Sequence, residues 1–278
     1  IPDAEARHAA LLADDADAAA NLERMARPPR GRDGLDWIQA GNTLSVMYYL
    51  DCRRGLFANA AARMAANLAV DRRALVDQLF HGLGVPATTI VSPWHLGHAQ
   101  AALPPLPHDP DAAKRLLDQA GPSADELLLR TPLHMPEGAP AISAMVAESL
   151  GRIGLRVRIE TEPDRPDYAR QVGSGRIGDL AIFDSSPSST FRVMDDKISA
   201  ATRGQWWQGH DDPALEPLFA TARRMMDDAA RATAYAACLR RLRDNPPWLY
   251  LFHPVELVAA RPGVARVALD HRGVLSLT

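Results

Sequence analysis

Residues 127–183 read LLLRTPLHMPEGAPAISAMVAESLGRIGLRVRIETEPDRPDYARQVGSGRIGDLAIF, and this stretch decides the fold. Its apolar pattern predicts strands at 127–130, 155–160 and 179–183, with helices at 141–153 and 164–174 between them. Strands that alternate with helices of about 10 to 15 residues indicate βαβ units and a mostly parallel sheet. In such sheets ligands bind beyond the carboxyl ends of the strands. We therefore expect a site in the segments that follow Arg130, Glu160 and Phe183.

The flanking sequence predicts further strands and helices in a less regular order. A β-rich run at 43–50 indicates a buried strand, and Asp71 and Asp109 each stand where a helix N-cap is expected. The remaining predictions are helices at 2–12, 59–69, 71–80, 110–120, 213–227 and 229–242, strands at 248–252 and in the tail 255–277, and loops within 18–30 and 83–107. The sequence thus predicts an α/β fold in which helices flank a mixed, mostly parallel sheet.

The composition narrows the class of partner. The chain has 278 residues, 47% of them apolar and 23% charged, and a formal net charge of −3. Interspersed acids and bases argue against nucleic acid or an anionic membrane as the main partner. The longest apolar runs fall far short of the ~20 residues that span a bilayer. Cys52 and Cys238 have no metal-binding spacing, and both a long-range disulfide and two buried thiols remain open.

The strongest candidate site follows the strand at 179–183. Asp184, Ser185, Ser186 and Ser188 place a carboxylate beside several hydroxyl groups at the end where the fold principle expects a ligand. Such a loop can hold a zwitterion or a polar, sugar-like group through charge-assisted hydrogen bonds. The alternative is a turn of the Asx or Ser type that only reverses the chain.

Aromatic and acidic residues elsewhere extend the candidate set. Trp206 and Trp207 offer stacking faces close in sequence to Arg192 and Arg203, although a tryptophan pair closing the core is an equal alternative. Glu137 precedes a predicted helix and can face an anionic or polar group there, or lie in a solvated loop.

The segment His95-Leu96-Gly97-His98 raises the question of a metal site. Imidazoles are good nickel and zinc ligands, but no third protein ligand is evident, so surface histidines are the favoured interpretation and no metal or cofactor is expected. Trp94 beside them is predicted to form part of a cleft wall.

The sequence contains no nucleophile elbow, zinc-protease helix or phosphate-binding loop, so we do not expect an enzyme.

Five motifs, taken in order, carry a family resemblance. They are Met47-Tyr48-Tyr49-Leu50, the pattern Arg-x-Ala-x-x-x-Ala-x-Asp-Arg at 63–72, Gly82-Leu83-Gly84-Val85-Pro86-Ala87, the pattern Asp-Pro-x-x-Ala-x-x-Leu-Leu-x-x-Ala-Gly at 109–121, and Ile153-Gly154-Leu155-Arg156-Val157. With the helix-like start at 1–17, they resemble the C-terminal half of the family 5 extracytoplasmic solute-binding proteins. These are the dipeptide, oligopeptide and nickel-complex receptors of ABC importers.

The resemblance implies a periplasmic-binding-protein-like fold of type II. Residues 53–254 would then form the second, C-terminal lobe, and 1–52 and 255–278 would be pieces of the first lobe. In the family the equivalent loop carries an Asp that pairs with the amino terminus of a peptide, which implies that role for Asp184. Tyr49, on the strand that enters the lobe, joins the expected ligand-binding residues.

The function implied is capture of a small polar solute between two lobes and its delivery to a membrane permease. A peptide, an opine-like conjugate, a sugar derivative and a metal chelate all remain open as ligands. The expected location is periplasmic or extracytoplasmic, and because the chain begins Ile1-Pro2-Asp3, we expect the signal peptide to lie outside it. The alternative is a ligand-sensing module of a transcriptional regulator, since the same fold occurs fused to DNA-binding domains.

Overall fold

A computed structural model describes residues 1, 3–24, 33–121, 125–134, 136–264, 267–271 and 274–277. The helices are α1 (Ala4–Leu12), α2 (Ala60–Ala69), α3 (Arg72–Phe80), α4 (His98–Ala101), α5 (Pro110–Ala120), α6 (Ala139–Arg152), α7 (Arg165–Gly173), α8 (Thr190–Lys197), α9 (Leu215–Arg224) and α10 (Asp228–Asp244). The strands are β1 (Ala18–Ala20), β2 (Asp36–Gly41), β3 (Ser45–Leu50), β4 (Gly84–Pro86), β5 (Leu127–Pro132), β6 (Val157–Glu162), β7 (Leu180–Ser185), β8 (Trp248–Ala260), β9 (Val267–Leu269) and β10 (Leu275–Leu277).

Eight of these strands form one mixed sheet in the order β1-β8-β3-β7-β5-β6, with β2 and β4 also paired to β8. This confirms the predicted α/β class with a mixed sheet flanked by helices. The expectation of a mostly parallel sheet is wrong. Among the described strands, β5 alone pairs in parallel, with β6 and β7, whereas β3 and β8 run antiparallel to their neighbours. The βαβ pattern fixes strand direction only where a helix crosses between the paired strands, and β3 and β8 lie outside that pattern.

The long strand β8 pairs with different strands along its two halves. Its first half pairs with β3 and β4, and Pro254 lies opposite Gly84. From the next residue onward it pairs with β2, Val255 opposite Gly41, and then also with β1. The change of partner falls at the predicted boundary between 254 and 255, although the division into lobes itself stays a prediction.

Side chains alternate across the sheet and build a core on each face. Tyr48 on β3 points into the cluster that α2, α3 and α6 cover, whereas its neighbour Tyr49 points into the cluster under α7 to α10. A third, smaller cluster joins α1 to the far half of β8 through Leu11 and Leu257. The candidate loop after β7 thus starts from a strand that is packed on both faces.

The Arg63–Arg72 motif performs a structural task. Asn67 donates to the Trp248 carbonyl (2.8 Å) and accepts from the Tyr250 amide (3.1 Å). Its oxygen also accepts from Arg72 Nη2 (2.8 Å), and the Arg72 Nε donates to the Tyr250 carbonyl (2.7 Å). These buried hydrogen bonds fasten α2 and α3 to the start of β8. The motif therefore stabilises the fold, and these bonds give it no part in ligand binding.

Several local predictions need correction. The region 83–107, expected as a loop, contains β4 and α4, and the eight-residue helix α8 is missing from the sequence prediction. Predicted positions Pro2, 25–30, Met135 and Gly273 lie outside the described residues.

Cys52 and Cys238 are both free, and burial raises their thiol pKa values to about 11 and about 12. None of the described helices is both long and apolar enough to cross a membrane.

Candidate functional site

The end of β7 carries the main candidate residues. Asp184 and Ser185 are the last two residues of the strand, and Ser186 and Ser188 follow in an exposed loop before α8. Ser185 is only 2% exposed, and its hydroxyl has no hydrogen-bond partner within the described structure. The loop therefore presents Asp184, Ser186 and Ser188, while Ser185 faces inward.

The Asp184 carboxylate is partly buried, and opposing effects act on its pKa. Burial raises its pKa, and the positive charges of Arg165 and Lys197 act in the opposite direction. Among the described residues, no other side chain donates a hydrogen bond to this carboxylate. A carboxylate that is held in a poorly solvated place can be stabilised further by a cationic ligand group.

Lys197, one of two lysines in the chain, was not singled out from the sequence. It lies at the end of α8, is only 5% exposed, and donates from Nζ to the Tyr49 hydroxyl (2.8 Å). Its Nζ also lies 5.0 Å from the centroid of the Trp206 ring. Burial lowers the pKa of Lys197 to about 8, opposed by the charge of Asp184. Only the rarity of lysine in this sequence could have drawn attention to it.

Tyr49 is fully buried, so its expected direct contact with a ligand is corrected. Its ring lies edge-on to Phe183 (6.1 Å between centroids). Trp206 is partly buried and packs on Phe183 with centroids 5.0 Å apart. The structure therefore brings Tyr49 and Trp206 together, with Trp206 covering the aromatic cluster.

Trp207 lies elsewhere. Its indole Nε1 donates to the His210 carbonyl (2.8 Å), and Arg203 lies 5.1 Å above its ring. The next residue, Gln208, accepts from the Cys52 amide, just beyond the end of β3 that pairs with the start of β7. Asp184 lies at the opposite end of β7, so the structure does not join Trp207 to the candidate loop.

Trp94 and Ser188 line one open cavity of about 630 Å³. Trp94 is 37% exposed, and Leu96 and Phe191 add two more exposed apolar side chains to the same wall. A side chain at Gly41 on β2 would overlap the Trp94 ring, so this ring also touches the N-terminal part of the chain. The role of Trp94 in the wall of a ligand cleft stays a prediction.

Of the two histidines in this segment, His95 is not on the surface. It is 5% exposed, and its ring contacts Ser92 on one side and the Pro187 carbonyl on the other. His98 begins α4, and burial lowers its pKa. The surface interpretation fails for His95 because its ring nitrogens satisfy groups in two loops. Within the described ranges no group of three or more His, Cys, Asp or Glu residues is arranged to hold a metal ion.

Glu137 forms a largely buried ion pair and does not lie in a solvated loop. Its carboxylate lies 2.8 Å from Arg24 Nη2, and both side chains are largely buried. Arg24 also donates from Nη1 to the Val255 carbonyl (3.2 Å). The pair thus joins the loop before α6 to the N-terminal segment and to β8, close to the change of partner in that strand.

Strand β8 thus pairs with two sets of strands, and a polar loop follows the carboxyl end of β7, which β3 separates from β8. Residues 1–223 match the family of Bacterial extracellular solute-binding proteins, family 5 Middle. The chain belongs to this family, as its motifs predict, and the family is one of binding proteins.

Individual relatives show a range of ligands in their names. The Nickel-binding periplasmic protein of Escherichia coli (strain K12) is 26% identical over 242 residues, which cover 80% of this chain and 45% of the relative. The Glutathione-binding protein GsiB of Salmonella typhi is 34% identical over 167 residues, covering 59% of this chain and 29% of the relative. The chain thus spans less than half the length of these curated relatives.

A solved structure of similar fold is DppA from Helicobacter pylori in complex with the peptide STSA. It matches with a TM-score of 0.78 and 20% identity, covering 100% of this chain and 56% of that chain. At this identity the likeness shows the fold alone, that of type II periplasmic-binding proteins.

Proposed function

We propose that this chain is the ligand-binding C-terminal lobe, with adjoining parts of the first lobe, of a receptor that captures a small polar solute for an ABC importer. The ligand is peptide-like and carries a cationic amino group. The closed receptor delivers it to a membrane permease from a periplasmic or extracytoplasmic location. Membership in the solute-binding family supports the general role.

The observation that carries the proposal is the Asp184 carboxylate. It stands at the carboxyl end of β7, where ligands bind in sheets of this kind, and it is partly buried without a hydrogen bond from another described side chain. An ammonium group would add charged donors to this carboxylate, and Ser186 and Ser188 would add hydroxyl partners. The relatives named for glutathione and the neighbour solved with a peptide support ligands of this class.

The wall beside this loop favours a ligand with an apolar portion. Trp94, Leu96 and Phe191 expose apolar surface to the cavity that Ser188 also lines. Binding pockets combine such surfaces with a few polar groups that fix orientation. Because Glu137 is paired with Arg24 and Asp228 with Arg231, we assign the amino group to Asp184.

Calorimetric titration of the full-length gene product tests the assignment. Trialanine, reduced glutathione and a nickel–histidine chelate serve as probes, with Asp184→Asn compared to the wild type. Loss of a charged hydrogen bond weakens binding by about 10-fold to 100-fold. Asp118→Asn, an exposed carboxylate on α5, is the matched control and should leave the Kd unchanged.

An equal Kd for wild type and Asp184→Asn would remove Asp184 from the site. Failure of the wild type to bind any peptide, with binding of the chelate, would replace the proposed ligand class. Cell fractionation of the expressed gene product tests the location, and recovery in the cytoplasm would contradict it.

A further inference from the structure

Two loops distant in sequence meet at His95. The segment from Ser92 to Leu96 precedes α4, and the segment from Pro187 to Thr190 leads from the candidate loop into α8. His95 Nε2 lies 2.8 Å from the Pro187 carbonyl oxygen. The Thr190 hydroxyl donates to the Leu96 carbonyl (2.7 Å). These two bonds hold the candidate loop against the cavity wall.

The hydrogen bonds of His95 define its protonation state. The Ser92 amide, which can only donate, lies 3.0 Å from His95 Nδ1, so this nitrogen is the acceptor. The Pro187 carbonyl, which can only accept, requires the proton on Nε2. The ring is therefore neutral, with its hydrogen on Nε2, and both nitrogens are used.

The position of Pro187 makes this bond relevant to a ligand. Proline has no amide hydrogen, and its carbonyl lies between the hydroxyl-bearing residues Ser186 and Ser188. The loop from Asp184 to Thr190 is anchored by β7 at one end and by the Thr190 bond at the other. His95 supplies the anchor in the middle, where the serine side chains project.

We propose that His95 is a positioning residue for ligand binding, because its Nε2–H holds the Pro187 carbonyl and so fixes the Asp184–Ser188 loop in its binding shape. This inference rests on the proposed function of that loop. His95 is not assigned contact with the ligand; it acts through the Pro187 backbone. It is the group that selects one loop shape before the ligand arrives.

The same geometry makes the tether sensitive to acid. A proton added to Nδ1 would face the Ser92 amide hydrogen, and the ring would lose its acceptor there. Burial lowers the pKa of His95, which keeps the ring neutral near pH 7. Among the described residues, the charged and titratable groups around it are His98 on α4, His253 on β8, His271 in the C-terminal segment, and Asp228 and Arg231 of α10 in the cavity wall.

Two substitutions separate the roles of the two ring nitrogens. Gln in place of His95 carries its amide nitrogen near the position of Nε2 and keeps a donor for Pro187, but it does not titrate. Asn ends near the position of Nδ1, so it keeps an acceptor for Ser92 and loses the reach to Pro187. The Kd for trialanine and reduced glutathione is measured by calorimetry on the full-length gene product from pH 5 to pH 8.

We expect His95→Asn to weaken binding about 10-fold at pH 7.5 and His95→Gln to stay within about 3-fold of the wild type. Wild-type affinity should fall toward pH 5, and His95→Gln should show a flatter profile. Equal affinity of His95→Asn and wild type overturns the inference, and so does a His95→Gln protein that binds as weakly as His95→Asn.

Amide hydrogen exchange at Ser186 and at residues 188–190 separates this inference from the proposed function. Exchange that is faster in His95→Asn than in His95→Gln supports the tether even if neither probe binds the wild type, in which case the proposed function fails alone. Equal exchange in the two variants overturns the tether whatever the probes do.

Discussion

Acidification should destabilise the protein through His253, a residue of β8. His253 is buried, and its Nδ1 lies 2.8 Å from the Ser45 hydroxyl. That hydroxyl donates to the Ile90 carbonyl (2.5 Å), so Nδ1 carries the hydrogen and donates to Ser45. Nε2 then holds a lone pair, and it has no hydrogen-bond partner in the described part of the chain. The folded protein thus holds His253 neutral.

The sign and size of the stability loss follow from the pKa values of His253 in the folded and unfolded states. Burial lowers the pKa of His253 to about 3, whereas an unfolded histidine titrates near 6.5. Between these values the unfolded state binds one more proton, so stability is present above pH 6.5 and is lost as pH falls toward 3. The slope is about 1.4 kcal/mol per pH unit, and the loss between pH 6 and pH 4 is roughly 2.5 kcal/mol.

Urea unfolding at pH 7, 6, 5 and 4 measures this loss for the wild type and for His253→Asn, which keeps a donor for Ser45. The variant should lose roughly 2.5 kcal/mol less than the wild type between pH 6 and pH 4. Carboxylates titrate in both proteins, so their contribution cancels in the difference. His134→Asn, an exposed histidine, is the control and should follow the wild type. Parallel losses in wild type and His253→Asn would refute the reasoning.

Three other outcomes are expected. Asn67→Ala should lower the free energy of unfolding by about 3 kcal/mol in urea, because it leaves buried backbone groups of β8 without partners, and a loss below about 1 kcal/mol would contradict this. Lys197→Met should raise the pKa of Asp184 further, so that calorimetric binding of the proposed peptide ligand fails at a higher pH than in the wild type; an unshifted pH profile would argue against their coupling. Buried Cys238 should react with Ellman's reagent at pH 8 only after denaturation, and Cys52, partly exposed with a raised thiol pKa, should react slowly in the native protein; fast native reaction of both would contradict this.

Local pattern in the sequence was enough to predict the parallel core of the fold. The alternation within 127–183 matches β5, α6, β6, α7 and β7 to within a few residues. Whether β3 and β8 run parallel or antiparallel to their neighbours was not predictable. A buried strand without an adjoining crossover helix has the same apolar pattern in either direction. Helix α8 was missed although its buried residues Thr190, Val193, Met194 and Lys197 follow helical spacing, since four such positions among polar neighbours give a weak signal.

The candidate site was predictable only in its position along the sheet. Asp184 could be placed at a strand end from local pattern, whereas the roles of its neighbours depend on contacts between distant segments. Lys197 reaches Tyr49 across 148 positions, and His95 reaches Pro187 across 92. No local periodicity encodes such pairs. The same limit explains why Trp206 and Trp207, adjacent in sequence, lie in different surroundings.

The continuity of β8 has a mechanical consequence. No loop separates its two halves at the change of partner, so a rotation of one sheet segment against the other must be absorbed as torsion of a hydrogen-bonded strand. Each residue offers two soft backbone dihedrals, and at Pro254 the ring fixes one of them. Torsion is therefore concentrated in the ψ angle of Pro254 and in the adjoining residues, which makes this joint stiff and gives it few directions in which to bend.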